Sequence, residues 1–248
     1  MSDDRRLLSD KSIPRRERLI FALDVPGPEP ARRLVDELGD SVHFYKLGLE
    51  LFMAGGYFEL LDDLVAQGKR VFVDLKFFDV PETVAAAVRQ LRDRRATFAT
   101  VHGNDAMLAA ACREKGDLQL LAVTVLTSLD QGDLRDLGFS VSVEKLVLSR
   151  AKRALAHGCD GVISSGLEAR ALRASLGSRF LVVSPGIRPV ENRTQDDQKR
   201  VMTVRDAFLA GADYIVVGRP IRNAADPRAA ALAIQETIAD LFPDPRPA

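Results

Sequence analysis

The sequence has little cysteine and no excess of charge of either sign. Its two cysteines, Cys112 and Cys159, have no motif around them, which favours two reduced, half-buried thiols. Lysine plus arginine and aspartate plus glutamate both number 35, so the formal net charge is zero. Proteins that bind nucleic acid or a membrane surface carry a basic excess, and we therefore expect neither kind of partner.

The sequence also lacks a hydrophobic run long enough to cross a membrane. Its first residues are charged throughout and contain no apolar signal core. We therefore predict a cytoplasmic protein in which residues 1–17 form a flexible extension and residues 18–248 form a single domain. That length is typical of one α/β barrel, and a hydrophobic content of 46% supplies a substantial core.

Short β-branched runs alternate with segments of helical period along the whole chain. The runs cover 18–26, 43–49, 71–77, 98–103, 118–126, 161–166, 180–186 and 214–220. The helical segments cover 30–39, 55–68, 82–95, 104–115, 143–157, 167–176, 203–210 and 226–241. Eight such units predict a (β/α)8 TIM barrel. An open doubly wound sheet is the alternative, but no G-x-G-x-x-G follows the first strand.

Nearly every predicted strand ends in a polar group, which in a barrel places those groups around one mouth. The strand ends are Asp24, Lys46, Asp74 with Lys76, His102, Thr127 with Ser128, Ser164 with Ser165, SPGIRP (184–189) and VGRPI (217–221). The pattern indicates a pocket for a small polar molecule. No metal-ligand cluster is present among these residues, and the isolated His102 is given no ligand role.

The stretch VFVDLKFFDVPET (71–83) begins as an apolar strand and carries Asp74, Lys76 and Asp79 where the strand gives way to a polar turn. Side chains alternate along a strand, so Asp74 and Lys76 are predicted to face the barrel interior together. With Lys46 and Asp79 they form a row of alternating sign. We expect the flanking carboxylates to keep Lys76 protonated, as a general acid requires.

Two structural alternatives compete with this interpretation. Asp79 and Glu82 match a D-x-x-E capping box, with Pro81 in the first helical turn. Lys46 could extend out of the barrel end along its own aliphatic stem. A single D-x-K in a strand is a weak signal, whereas matched charges on adjacent strand ends are harder to dismiss.

The last two strand ends predict a phosphate site, because the loops after strands 7 and 8 bind phosphate in many barrels of this kind. Gly218 allows an anion to approach backbone N–H groups, and Arg219 adds a fixed charge. The alternative is a strand-end turn with a solvated arginine. The polar segment 188–200 is a candidate mobile lid.

The segment DLKFFDVPET resembles the D-x-K-x-x-D-[IV]-P-x-T signature of the orotidine 5′-phosphate decarboxylase family. Further segments agree in order over about 18–240: FALDVP, YKLGLELF, TVHG, AVTVLTS, SPGIRP, DDQKR and YIVVGRPI. Phe78 and Glu82 depart from the histidine and asparagine that are common in bacterial members, and QGDLRDLGFS (131–140) is expected to be an inserted loop.

The resemblance implies that orotidine 5′-monophosphate is converted to UMP and carbon dioxide without a metal or an organic cofactor. It implies that Lys76 donates a proton to C6 of the pyrimidine and that Asp74 lies near the substrate carboxylate. Lys46 would contact Asp74 and a ribose hydroxyl, and Asp24 would also bind the ribose.

The resemblance further implies a homodimer in which Asp79 and Thr83 reach the partner's site. The remaining expected contacts are Thr127 with the pyrimidine, and Arg188, Gln198, Gly218 and Arg219 with the phosphate.

Two other functions remain open from the sequence. Metal-dependent sugar-phosphate synthases and decarboxylases of the same superfamily share D-x-K-x-x-D but use strand ends to hold Mg²⁺. A catalytically silent phosphate-binding barrel would bind nucleotide without turnover. The P-x-T after Asp79 and the surroundings of Lys46 favour the nucleotide decarboxylase over the first, and the intact charged row favours it over the second.

Overall fold

The protein folds as a closed barrel of eight parallel strands, seen in a computed structural model that describes residues 7–188 and 202–243. Adjacent strands pair in chain order, and β8 pairs with β1 through Leu19 and Ile215, among others. This closure confirms the predicted (β/α)8 barrel and makes the open-sheet alternative wrong. The strands are β1 Leu19–Ala22, β2 Phe44–Leu47, β3 Arg70–Phe77, β4 Phe98–Val101, β5 Gln119–Val123, β6 Gly161–Ile163, β7 Leu181–Ser184 and β8 Tyr214–Val217.

Helices follow the strands and cover the barrel from outside. Within the described residues they are α1 Pro28–Leu38, α2 Leu49–Ala54, α3 Tyr57–Ala66, α4 Pro81–Arg92, α5 Asp105–Glu114, α6 Gln131–Asp136, α7 Val143–Ala156, α8 Gly166–Leu176, α9 Val204–Leu209, α10 Arg219–Arg222 and α11 Pro227–Leu241. None of them is both long and apolar enough to cross a membrane.

Three short helices, α2, α6 and α10, were not predicted. The expectation of a loop at 131–140 is wrong for its first half, because α6 occupies Gln131–Asp136. Asp130 caps this helix by accepting the backbone N–H groups of Gly132 and Asp133, and the Asp133 side chain accepts the N–H of Asp130 in return. This reciprocal capping box stabilises a helix that is too short to show a clear period.

Alternation along each strand divides the core into two layers. Outward side chains such as Phe21, Tyr45 and Val73 pack against the helices, and all three are buried. Inward side chains fill the lower barrel with rings, as in the contact between Phe44 and Phe98, whose centroids lie 5.0 Å apart. The inward positions nearer the carboxyl ends of the strands are therefore free to carry polar groups that face the mouth.

A buried charge cluster, named here the base cluster, lies at the opposite end of the barrel and consists of Lys11, Arg173 and Asp213. The Asp213 carboxylate accepts hydrogen bonds from Arg173 Nη2 at 2.7 Å, Lys11 Nζ at 3.0 Å and Val182 N–H at 2.9 Å. Lys11 belongs to the N-terminal segment, so part of that segment contacts the barrel. The flexibility of residues 1–17 and the domain boundary stay predictions.

Candidate active site

The mouth of the barrel holds a cavity of about 460 Å³. Eight of the residues predicted from the sequence line it. They are Asp24, Lys46, Asp74, Lys76, Thr127, Arg188, Gly218 and Arg219. They come from six different strand ends or the loops that follow them, which is how a parallel barrel assembles a site from distant parts of a chain.

Strand β3 is irregular where it delivers the central charges. Its pairing with β4 shifts register between Val73 and Phe77, and Lys76 adopts a left-handed backbone conformation with φ of 51°. Asp74 and Lys76 both line the cavity as predicted, but regular alternation at Lys76 was the wrong reason. The bulge turns the Lys76 side chain toward Asp74, with Nζ 2.9 Å from Oδ1.

Thr100 on β4 holds this irregular segment in place. Its hydroxyl accepts the backbone N–H of Lys76 at 2.9 Å and donates to Asp74 Oδ1 at 3.0 Å. Thr100 is fully buried, so water cannot replace either bond. One side chain therefore fixes both the strained backbone of Lys76 and the orientation of the Asp74 carboxylate.

Four charges form what we name the mouth cluster: Asp24, Lys46, Asp74 and Lys76. Lys46 Nζ lies 3.0 Å from Asp24 Oδ1 and 3.6 Å from Asp74 Oδ2. The Lys46 side chain is only 11% exposed, so the alternative in which it extends into solvent is wrong. Lys76 and Asp24 are more open, with 35% and 43% of their side chains exposed.

Electrostatics keep the two buried members of the mouth cluster ionised. Burial alone opposes the charge on Lys46, but attraction to Asp74 and Asp24 outweighs it and raises the pKa of the ammonium. Burial likewise opposes the charge on Asp74, but Lys46 and Lys76 outweigh it and lower the pKa of the carboxyl. Lys46 and Asp74 therefore present fixed charges over the neutral pH range.

The absence of a side chain at Gly48 leaves space for the ion pair between Lys46 and Asp24. A Cβ atom at this position would lie 3.2 Å from both Lys46 Nζ and Asp24 Oδ1. Such contacts are closer than carbon tolerates comfortably, so a side chain here would push the two charges apart. The glycine of the YKLG segment is therefore part of the site's geometry.

The part of the cavity formed by the loops after β7 and β8 is basic. Arg188 follows β7 and Arg219 begins α10 directly after β8. Burial, with a further contribution from the charge of Arg219, lowers the pKa of the Arg188 guanidinium. Two like charges that disfavour each other are stabilised when an anion binds between them. Gly218 stands beside them, where a Cβ would lie 3.2 Å from Ala22 Cβ.

Two predicted residues lie outside this cavity in the described chain. Asp79 and Thr83 are exposed at the start of α4 and do not line it. The capping-box alternative for Asp79 is wrong, because Pro81 is the first residue of α4 and the cap position falls on Val80. Asp79 instead accepts the backbone N–H of Val80 at 2.6 Å.

Gln198 and nearly all of the candidate lid 188–200 lie outside the described residues. His102 lines a separate surface pocket rather than the mouth cavity. Its ring meets the edge of Phe78 at a centroid distance of 5.2 Å, which gives the unusual phenylalanine a local packing role.

Sequence reasoning missed three residues of the site. Thr100 lies within β4 rather than after a strand end, and only the bulge in β3 gives its hydroxyl a function. Glu50 and Arg222 also line the cavity, and Arg222 Nη1 donates to the backbone carbonyl of Asp24. The position of Arg222 directly after the VGRPI segment was the available signal. Within 7–188 and 202–243, no group of three or more His, Cys, Asp or Glu side chains is arranged to hold a metal ion.

Comparison with known proteins gives consistent matches. Residues 17–234 match the family model described as Orotidine 5′-phosphate decarboxylase / HUMPS family. Orotidine 5′-phosphate decarboxylase of Methylococcus capsulatus is 66% identical over 95% of this chain and 97% of its own. That of Stenotrophomonas maltophilia is 54% identical over 90% of this chain and 93% of its own.

A solved structure agrees with these matches. The crystal structure of orotidine 5′-phosphate decarboxylase from Lactobacillus acidophilus superposes with a TM-score of 0.79 at 37% identity. The match covers 90% of this chain and 99% of the other.

Proposed function

Since this chain belongs to the orotidine 5′-phosphate decarboxylase / HUMPS family, we propose that Lys76 donates the proton that replaces the departing carboxylate of orotidine 5′-monophosphate. The chain is a carboxy-lyase of pyrimidine biosynthesis, as its relatives at high identity over nearly the full length are. The observation that carries the proposal is the mouth cluster, in which a partly open ammonium is held by a buried, ionised carboxylate.

The chemistry requires a positive charge at the reacting carbon. When the bond from C6 to the carboxylate breaks, its electron pair stays on C6 in an orbital that the ring π-system cannot delocalise. The Lys76 ammonium supplies a charge already placed for this carbanion, and then its proton forms the new C6–H bond. The amine left behind regains a proton from solvent, which its 35% exposed side chain can reach.

Asp74 has two effects in this proposal. It fixes Lys76 through the 2.9 Å ion pair, and it stands near the carboxylate that leaves. Two carboxylates about 4 Å apart repel by roughly 4 kcal/mol at an effective dielectric constant of about 20. Loss of carbon dioxide relieves that repulsion. Lys46 lies between Asp24 and Asp74, and its charge keeps the Asp74 carboxylate ionised while the substrate is bound.

The basic side of the cavity binds the phosphate in this proposal. Arg188 and Arg219 supply charge, and Gly218 leaves space for the phosphate to approach the backbone. Gln198 is proposed as a further phosphate contact. The phosphate takes no part in the chemistry, so its binding energy is available to hold the pyrimidine against the mouth cluster.

The remaining polar groups orient the ribose and the base. Asp24 and Lys46 are proposed to bind ribose hydroxyls, since Asp24 is the most exposed carboxylate of the mouth cluster. Thr127, at the opposite wall of the cavity, is proposed to hydrogen-bond the pyrimidine. These contacts fix the position of C6 relative to Lys76 Nζ.

Asp79 and Thr83 are proposed to complete the site of a partner subunit in a homodimer. Both are exposed at the start of α4, outside their own cavity, which leaves them available to a second chain. Mixing inactive Lys76→Ala and Asp79→Ala homodimers, with subunit exchange, tests this. One intact site in about half of the dimers gives roughly a quarter of wild-type activity. If the exchanged mixture stays inactive, Asp79 serves its own subunit.

The central test is the loss of orotidylate absorbance with purified protein, in buffer with and without EDTA. We expect the same rate in both, because the proposed chemistry uses only side chains and no cofactor. An EDTA-sensitive rate would favour the metal-dependent alternative, and nucleotide binding without turnover would favour the silent barrel. A cytoplasmic location stays a prediction.

A further inference from the structure

The two cysteines of this chain meet at the base of the barrel, far along the sequence from each other. Cys112 lies near the end of α5, and Cys159 lies two residues before β6. Their Sγ atoms are 3.6 Å apart, which is van der Waals contact between two sulfurs. Cys112 lies in the part of α5 that leads into β5, and Cys159 lies in the loop that leads into β6. The pair therefore lies at the end of the barrel where the strands begin, opposite the mouth cluster.

The backbone between α7 and β6 brings the two thiols together. Gly158 has φ of 95°, in the left-handed region that glycine adopts without strain. A Cβ at Gly158 would meet Cys112 Cβ at 3.6 Å. The loop therefore turns against α5 and delivers Cys159 directly to Cys112.

The two thiols are not equivalent. Cys112 is partly exposed, whereas Cys159 is buried. A hydrogen bond from Cys159, supported by the charge of Lys115, lowers the pKa of the Cys112 thiol. The same contact and burial raise the pKa of Cys159. Lys115 is held in place by Asp160, with Nζ 2.6 Å from Oδ1. One accessible thiol is thus favoured as the nucleophile, and the other is shielded beside it.

We propose that Cys112 and Cys159 form a reversible intramolecular disulfide when the protein meets a peroxide. The Cys112 thiolate attacks one peroxide oxygen, the O–O bond breaks, and hydroxide leaves with a proton to form water. The sulfur of Cys159 then attacks the Cys112 sulfenic acid, the S–O bond breaks, and the Cys159 proton leaves with the hydroxyl as a second water. Two thiols lose two electrons, and the peroxide gains them.

The proposed disulfide changes the stability of the fold and not the rate of the reaction. It joins α5 to the loop before β6 and closes a long segment of chain that includes β5, α6 and α7. A cross-link over such a segment restricts the unfolded chain more than the folded one. Because the pair lies at the base, the cavity and the mouth cluster keep their geometry. The oxidised protein resists heat better and turns over substrate at the same rate.

The experiment compares reduced and peroxide-treated wild type. Both samples are denatured, blocked with N-ethylmaleimide and weighed intact. The reduced protein should carry two blocking groups, and the oxidised protein none, with the mass of two hydrogen atoms lost. The melting temperature should rise by roughly 5–10 °C on oxidation and return to its starting value with dithiothreitol.

The matched controls are Cys112→Ala and Cys159→Ala. Neither should show a rise in melting temperature after peroxide treatment, and Cys159→Ala should retain a sulfenic acid on Cys112 that dimedone traps. Two blocking groups on oxidised wild type, a disulfide between chains, or irreversible oxidation of Cys112 would each overturn the proposal. A change in decarboxylation rate on disulfide formation would overturn the claim that the bond is catalytically neutral. The mass measurement is independent of the proposed function.

Discussion

The barrel carries one charge cluster at each end, and the two clusters differ in how completely their charges are satisfied. At the base, Arg173 donates from Nε to Gly211 carbonyl, from Nη1 to Phe180 carbonyl and from Nη2 to Asp213. Asp213 is fully buried and accepts three donors. At the mouth, the Lys76 side chain is 35% exposed and donates to Asp74. Arg173 and Asp213 at the base are buried and hydrogen-bonded within the protein, whereas Lys76 at the mouth is partly exposed and can contact a ligand.

The difference separates charges that hold the fold from charges that act on a ligand. A buried charge with all its partners contributes through the damage its loss would cause, because removing one member leaves others unpaired in low dielectric. A charge that faces a cavity still has donors or acceptors available for a substrate. The mouth cluster is therefore expected to affect catalysis, and the base cluster stability, when each is altered.

Lys76→Ala should produce the largest effect, and it tests the catalytic half of the comparison. We expect kcat/KM to fall by at least about 10³-fold, since both the proton donor and its charge are lost. The free energy of unfolding in urea should change by less than about 1 kcal/mol, because a partly exposed ion pair contributes little. The exposed Lys152→Ala is the matched control and should be neutral. Retention of a tenth of wild-type kcat would remove Lys76 from this role.

Asp213→Asn should show the opposite pattern. Arg173 and Lys11 would lose the anion that both of them contact. We expect a loss of roughly 3–5 kcal/mol in the free energy of unfolding, with kcat per folded molecule within about twofold of wild type. Urea unfolding and active-site titration measure the two quantities. The exposed Asp136→Asn should leave both unchanged, and a stable but inactive Asp213→Asn protein would contradict the comparison.

Arg219→Ala tests whether the mouth has two functional halves. Loss of a charged donor to phosphate should weaken UMP binding by about 10²-fold. Binding of uridine, which has no phosphate, should change by less than about twofold. Isothermal titration with the two ligands gives both numbers, and Arg205→Ala, at an exposed arginine, is the control. Equal losses for the two ligands would place Arg219 away from the phosphate.

Thr100→Val asks whether the mouth cluster depends on the neutral group that supports it. The substitution preserves shape but removes the acceptor for Lys76 N–H and the donor to Asp74. We expect kcat to fall about tenfold, with KM nearly unchanged. Asp74 and Lys76 are both still present in this variant, but the hydroxyl that orients them is lost. Thr100→Ser keeps the hydroxyl and should restore most of the rate. If the serine variant is as slow as the valine variant, the hydroxyl is not responsible.

The smallest effect concerns pH. The pKa of Asp74 is lowered in the folded protein, chiefly because Lys46 and then Lys76 outweigh the effect of burial. Its ionised form therefore contributes stability that is complete above the unfolded pKa and lost as pH falls through the folded one. The stability difference between wild type and Asp74→Asn should be constant from about pH 5 to about pH 8 and decrease below about pH 4. A difference that changes near neutral pH would mean that the Asp74 carboxyl titrates there.

The strands and the charged strand ends were predictable because alternation and position in the chain determine them. Asp24, Lys46 and Asp74 line the mouth because each ends an inward-facing row. The prediction that Lys76 lines the cavity with Asp74 is correct despite the bulge. The bulge changes the path of the backbone, but both side chains still reach the same cavity and form a 2.9 Å ion pair. Regular alternation carries no information about a register shift, so the φ of 51° at Lys76 could not be foreseen.

The errors arise where one residue decides between local arrangements. The pattern D-x-x-E was present at Asp79, but Pro81 takes the first helical position and shifts the cap to Val80. The sequence predicts a loop where α6 lies, because six residues are too few to display a helical period. Thr100 was missed because its function depends on a neighbouring strand's irregularity.

Because β1 pairs with β8, the site is complete only when both the first and the last strand have been synthesised. Asp24 follows the first strand and Arg219 follows the last, and Arg222 donates to the Asp24 carbonyl across nearly the whole sequence. A nascent chain on the ribosome that has not yet extended past β8 leaves β1 with an unpaired edge. The mouth cavity then lacks one wall. The complete cavity therefore requires that the chain be synthesised past β8.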